Sequence, residues 1–130
     1  HYAVHACTDV TGFGLLGHSY EMAQGSDVEL ELDTAAVDLI PEAVEQARMG
    51  VLPAGMYRNR KFAEEYVDAG AVELCRQDVL YDPQTAGGLL MAVAPEDAPA
   101  LLAELTPCVP SAQRIGTVRP YGGGKRIFLR

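Results

Sequence analysis

The sequence predicts an α+β fold, a mixed sheet of four to five strands with helices packed against it. Three observations lead there. Short runs with strand character are interleaved with stretches of helical spacing, and no regular strand–helix alternation links them. The 130 residues fit a single domain, spanning 1–130, long enough to bury about two thirds of its unfolded surface. A composition of 48% hydrophobic and 22% charged residues belongs to a chain that folds rather than to a disordered tail.

In chain order, Leu15, Leu16, Met22 and Ala23 fall at helical spacing after a glycine-rich turn, so a helix is expected over Leu15 to Gln24. Gly25 stands where a left-handed cap would end it. Val28, Leu30 and Leu32 alternate with Glu29 and Glu31, the period of a strand with one wet face. Pro41 suits the first turn of a short helix through Met49, with Gly50 ending it and Val51 to Gly55 as a loop. Asn59 is expected to cap a helix carrying Phe62, Ala63, Tyr66 and Val67 and ending near Gly70. Leu89 to Val93 is continuously apolar after Gly87 and Gly88 and reads as a buried strand. Pro95 opens a helix whose stripe of Ala98, Leu101, Leu102 and Leu105 is expected to pack on the sheet. Arg114 to Val118 and Ile127 to Leu129 read as a closing antiparallel pair across Gly122, Gly123 and Gly124.

Eighteen acidic residues against ten basic give a formal charge of −8, which repels a phosphate backbone and argues against a nucleic-acid partner. Cys7, Cys75 and Cys108 are widely spaced, with no CxxC pair to clasp zinc, and fit free thiols in a reducing compartment. No apolar run approaches the ~20 residues that span a bilayer, and no signal peptide is recognisable, so the expected location is cytoplasmic and away from membranes. The motif-rich stretch begins almost at His1, without an initiator methionine, so a longer parent protein is expected.

The densest chemical signal is Cys7-Thr8-Asp9-Val10-Thr11-Gly12-Phe13-Gly14-Leu15-Leu16-Gly17-His18. Gly12, Gly14 and Gly17 match the G-x-G-x-x-G of dinucleotide folds, and Asp33 lies near the offset of a ribose-binding acid. The context disagrees. Such a fold begins with an aliphatic strand buried on both faces, whereas Thr8, Asp9 and Thr11 place charge and hydroxyls there, and the next strand alternates with glutamates. Asp9 supports another reading, because a hard carboxylate next to a turn that opens a helix suits a magnesium–phosphate pair. Magnesium takes only one or two protein carboxylates beside phosphate oxygens and water. An aspartate in a loop also commonly satisfies its own turn amides, and the residue pattern alone leaves both roles open.

Ala6 to His18, followed much later by Asp82-Pro83-Gln84-Thr85-Ala86-Gly87-Gly88-Leu89-Leu90, resembles the two signature stretches of the C-terminal half of selenophosphate synthetase (selenide, water dikinase). Arg114 to Val118 and Gly123-Gly124-Lys125 resemble that family's closing segments, so the likeness spans essentially the whole chain. The resemblance places it in the superfamily of aminoimidazole ribonucleotide synthetase, whose members join an ATP-binding N-terminal domain to an α+β C-terminal domain. It implies Asp9 as a ligand of Mg2+, Thr11 and Gly12 as nucleotide-binding residues, ATP and selenide as substrates, and a homodimer. It further implies that the nucleophile, the essential lysine and the other metal ligands lie in the N-terminal half, leaving this chain inactive alone. A sister ATP-dependent enzyme and a non-catalytic nucleotide-binding module are the alternatives.

The neighbouring carboxylate makes Cys7 a poor nucleophile, and a small packing residue is expected there. His1, His5 and His18 lack zinc spacing, and structural roles are expected. Asp82 to Thr85 reads as a rigid turn, with Gln84 and Thr85 as possible nucleotide- or neighbour-facing groups; Ala86 stands where the family typically has serine.

Overall fold

The computed structural model describes residues 1–130. Six strands and five α-helices follow one another as β1 (Val4–Asp9), α1 (Gly14–Gly25), β2 (Val28–Leu32), α2 (Ala43–Arg48), α3 (Ala54–Ala63), β3 (Val67–Asp68), α4 (Leu74–Tyr81), β4 (Leu89–Val93), α5 (Ala98–Leu105), β5 (Gly116–Pro120) and β6 (Ile127–Leu129). The α+β class is as expected, and the main sheet has four strands in the order β3-β6-β2-β5. β6 runs parallel to β2 and β3, while β5 is antiparallel to β2. β1 and β4 form a separate antiparallel ribbon.

Alternation in β2 sets the layering. Leu30 and Leu32 point inward beside Ile127 and Leu129 of β6, and meet Leu16, Tyr20 and Ala23 of α1, Met56 and Ala63 of α3, and Leu80 and Tyr81 of α4 in one core. Glu29 and Glu31 point to the other face, where Arg119 lies within 3.5 Å of Glu29 and 3.2 Å of Glu31 and Arg130 within 3.5 Å of Glu31. The guanidinium groups of Arg119 and Arg130 also lie 5.5 and 5.8 Å from the centre of the Phe128 ring. One face is therefore aliphatic and helix-covered, and the other is ionic and wet, as the glutamate alternation predicts.

Several expectations are corrected. β5 and β6 are not a hairpin pair, because β2 lies between them. The left-handed residue after α1 is Asp27 (φ 52°), while Gly25 stays helical. The helix expected from Pro41 starts at Ala43, and Val51 to Gly55 already contains the first residues of α3. Asn59 is an interior residue of α3 rather than a cap, and the chain leaves that helix for a 3-10 turn and β3 well before Gly70. α4 was not expected, since its buried set includes Cys75 and Asp78 and its apolar stripe is broken. β4 is only partly buried: Leu90 is enclosed, Met91 to Val93 are half-covered and Leu89 is 65% accessible. α5 has no buried residue; its leucines are half-covered, and Asp97 just before it accepts the Ala3 N–H at 2.7 Å. No helix is long and apolar enough to cross a membrane.

Because Ile127 is fully enclosed at the sheet centre, Ile127→Ala is expected to cost about 2–5 kcal/mol in urea denaturation. Val118→Ala, on the half-exposed edge strand, is expected to cost less than about 1 kcal/mol. Equal costs would contradict this placement of β6.

Candidate functional site

The two stretches singled out in the sequence meet in space. β1 carries Cys7, Thr8 and Asp9 opposite Met91, Leu90 and Leu89 of β4. Beyond the ribbon the pairing continues as Val10 N–H to Gly88 O and Gly87 N–H to Val10 O, both 2.8 Å, and Gln84 N–H to Thr11 O at 3.0 Å. The turn from Thr11 to Phe13 thus lies against the loop from Asp82 to Gly88.

Glycine makes that approach possible. Gly14 has φ +70°, and a Cβ there would lie 2.8 Å from the Tyr81 and Asp82 backbone oxygens. A Cβ on Gly87 would lie 2.8 Å from Val10 O, and one on Gly55 would lie 2.5 Å from Pro83 Cγ. Gly12 differs, because nothing lies within 4 Å of its Cβ direction and the residue is exposed.

Two side chains hold the turn from beneath. Asn59, 6% accessible, donates from Nδ2 to Gly12 O and to Tyr81 O, each at 2.9 Å. Both neighbours are carbonyls, so the atom facing them is the amide nitrogen. His18 Nε2 lies 3.4 Å from the Phe13 N–H and 3.1 Å from Thr11 Oγ1, while Nδ1 lies 3.2 Å from Glu21 Oε2. The structural role expected for His18 is therefore seen in full. Phe13 stacks on Phe62 with ring centres 5.4 Å apart, and Arg60, ion-paired to Asp78, sits 5.2 Å over the Tyr81 ring. Burial pushes the Tyr81 hydroxyl up to about 12, so this support stays neutral. Burial also raises the Asp82 carboxyl from its ordinary value.

Asp9 ends β1 in an exposed position, and its carboxylate accepts no hydrogen bond and joins no ion pair. It does not serve its own turn amides. A free hard oxygen at this place fits Mg2+, although no three His, Cys, Asp or Glu side chains cluster as a metal cage anywhere in the chain. Two clefts lie elsewhere, one between Glu31, Asp33, Arg114 and Arg130 and another along Ala35 to Asp38. Both lie outside the paired loops. Cys7 is exposed, which corrects its expected packing role, since its outward position on β1 faces no covering element. Gln84 Nε2 is spent on Asp82, at 3.2 Å from both the backbone and a side-chain oxygen, and Thr85 and Ala86 are exposed. Asp33 Oδ1 accepts the Ala35 N–H at 3.0 Å. With β1 and β2 in different sheets, the dinucleotide reading is excluded.

Sequence reasoning gave Asn59 a helix-capping role and missed its hold on this turn. The available signal was an uncharged amide between Arg58 and Arg60, whose partners lie 47 and 22 residues away in sequence.

Residues 1–128 match the family described as AIR synthase related protein, C-terminal domain. The chain belongs to that family. Among curated relatives of this AIR synthase related domain, the selenide, water dikinase of Treponema denticola is 49% identical over 82% of the chain. Selenide, water dikinase 2 of Peptoclostridium acidaminophilum is 48% identical over 88%, and the selenide, water dikinase of Clostridioides difficile is 45% identical over 93%. These alignments cover 32%, 33% and 35% of the respective relatives, so the domain spans about a third of their length.

Gly14→Ala is expected to destabilise the domain by at least about 2 kcal/mol, combining a left-handed backbone with backbone overlap. Gly12→Ala is expected to stay within about 0.5 kcal/mol of the parent. Thermal unfolding of the two variants checks the contrast, and a stable Gly14→Ala protein would refute the close contact.

Proposed function

We propose that this chain is the C-terminal domain of a selenide, water dikinase, in which a longer parent protein converts ATP, selenide and water to selenophosphate, AMP and phosphate. The observation that carries the reading is 49% identity over 82% of the chain to a protein of that name. In this proposal Asp9 is a ligand of Mg2+, and Thr11 and Gly12 border the nucleotide. Support comes from the exposed, unpaired carboxylate and from a turn whose outward side is open at Gly12.

Magnesium, when bound, neutralises triphosphate charge, the chief demand of phosphoryl transfer. The domain's own contribution is positional. Asp9 is held at a strand end whose backbone is fixed on both sides, by the ladder to Leu89 and by the Val10 bonds to Gly87 and Gly88. The ladder fixes the point from which the Asp9 side chain projects, and its unpartnered carboxylate is available to a cation. The flatness of this surface fits a site shared with an N-terminal ATP-binding domain that also supplies the nucleophile. The proposal includes a cytoplasmic homodimer.

Phosphorus NMR of the full-length protein with ATP, selenide and Mg2+ is expected to show selenophosphate and AMP; ATP consumption without a selenophosphate signal would instead identify a sister enzyme. The 130-residue chain alone is expected to form no AMP. Asp9→Asn in the full-length protein is expected to lower ATP turnover at limiting Mg2+ by at least the roughly 10- to 100-fold lost when a group supporting a metal ligand is removed. Its unfolding free energy should stay within about 0.5 kcal/mol, because the carboxylate has no protein partner. Unchanged turnover would remove Asp9 from the site.

A further inference from the structure

The Gly12–Phe13 peptide unit is gripped at both ends by side chains. Its carbonyl accepts from Asn59 Nδ2 at 2.9 Å, and its N–H donates to His18 Nε2 at 3.4 Å. Asn59 is buried in α3 and His18 is 8% accessible in α1, so the grip comes from two packed helices and not from the turn itself. The neighbouring Thr11 carbonyl is also occupied, by the Gly14 and Gln84 N–H groups at 3.0 Å each. The Gly12 N–H has no protein acceptor, and it sits at the exposed residue.

The histidine adds a second orientation. Because Nε2 accepts the Phe13 N–H, it carries the lone pair, and the ring proton is on Nδ1 facing Glu21 Oε2 at 3.2 Å. Thr11 Oγ1, 3.1 Å from that same nitrogen, then donates its proton inward and presents only lone pairs outward. A hydroxyl fixed in that sense accepts from cation-bound water and cannot donate to a phosphate oxygen.

We infer that Asn59 and His18 are positioning residues that jointly lock the Gly12–Phe13 peptide, presenting the Gly12 N–H as a donor to a phosphate oxygen and the Thr11 hydroxyl as an acceptor for metal-bound water. This rests on the nucleotide-facing reading of Thr11 and Gly12 proposed above. Neither residue touches the nucleotide. Their effect is on the direction of groups that do, and an amide or imidazole at those places is required because the two ends of one peptide need a donor and an acceptor.

Calorimetric binding of a non-hydrolysable ATP analogue with Mg2+ to the full-length protein tests this. Asn59→Ala and His18→Ala are each expected to weaken binding by roughly tenfold, with the double variant falling well short of the hundredfold product, since both act on one peptide. Fully multiplicative losses would overturn a shared lock. Single variants that bind within twofold of the parent, while Asp9→Asn and Gly12→Ala weaken binding, would overturn the inference and leave the proposed function standing. If Asp9→Asn and Gly12→Ala also bind normally, both fall. Asn59→Ala leaves the buried Tyr81 carbonyl without this donor; should it fail to fold, His18→Ala decides alone, a tenfold loss supporting the lock and unchanged binding overturning it.

Discussion

The structure depends on the near contact of two backbone segments far apart in sequence, residues 10–14 and 81–88. Their carbonyls and amides satisfy one another at 2.8–3.0 Å, and the approach leaves no room for side chains at Gly14 or Gly87. Buried backbone polar groups must be paired, and here neither helix nor sheet supplies every partner. The Asn59 amide fills that gap, reaching Gly12 O and Tyr81 O at once. Each element around the site is placed by this junction: β1 and β4 lead out of it as a ribbon, α1 leads into the core, and α3 and α4 buttress it.

This arrangement separates stability from chemistry. Inward residues such as Leu16, Met56, Tyr81 and Ile127 are enclosed, so the four-stranded sheet and its helices form the packed base on which the exposed turn sits. The Asp9 carboxylate and the Gly12 N–H, by contrast, lie at exposed residues and have no protein hydrogen-bond partner. In the proposed function, a fixed strand end carrying an unengaged carboxylate suits one domain's share of a metal site. The exposed outer face of the ribbon, with Leu89, Met91 and Cys7 in register, lies beside Asp9.

Much of this was legible in the residues. The Val28 to Leu32 alternation gave a strand with one wet face, because period two survives any choice of partner strand. The glycine-rich turn before α1 announced itself through Gly12, Gly14 and Gly17, and the free carboxylate of Asp9 agrees with a role beyond its own loop. Pairing was not legible. β5 and β6 are consecutive in the chain and joined by glycines, and local signals cannot reveal that β2 inserts between them. β4 reads as buried because a continuous apolar run encodes hydrophobicity and not the presence of a cover. α4 escaped notice because burial of Asp78 against Arg60 breaks its stripe, and Asn59 because its role exists only when α3, α4 and the first turn meet.

The central claim is that this junction holds Asp9 toward a divalent ion bound to nucleotide. It is tested most directly by crystals of the full-length protein grown with Mn2+ and a non-hydrolysable ATP analogue, read by the anomalous signal of the metal. The account predicts a metal peak about 2 Å from an Asp9 carboxylate oxygen, with the Gly12 N–H facing a phosphate oxygen. A nucleotide-bound metal whose ligands exclude Asp9, directly and through water, would contradict it.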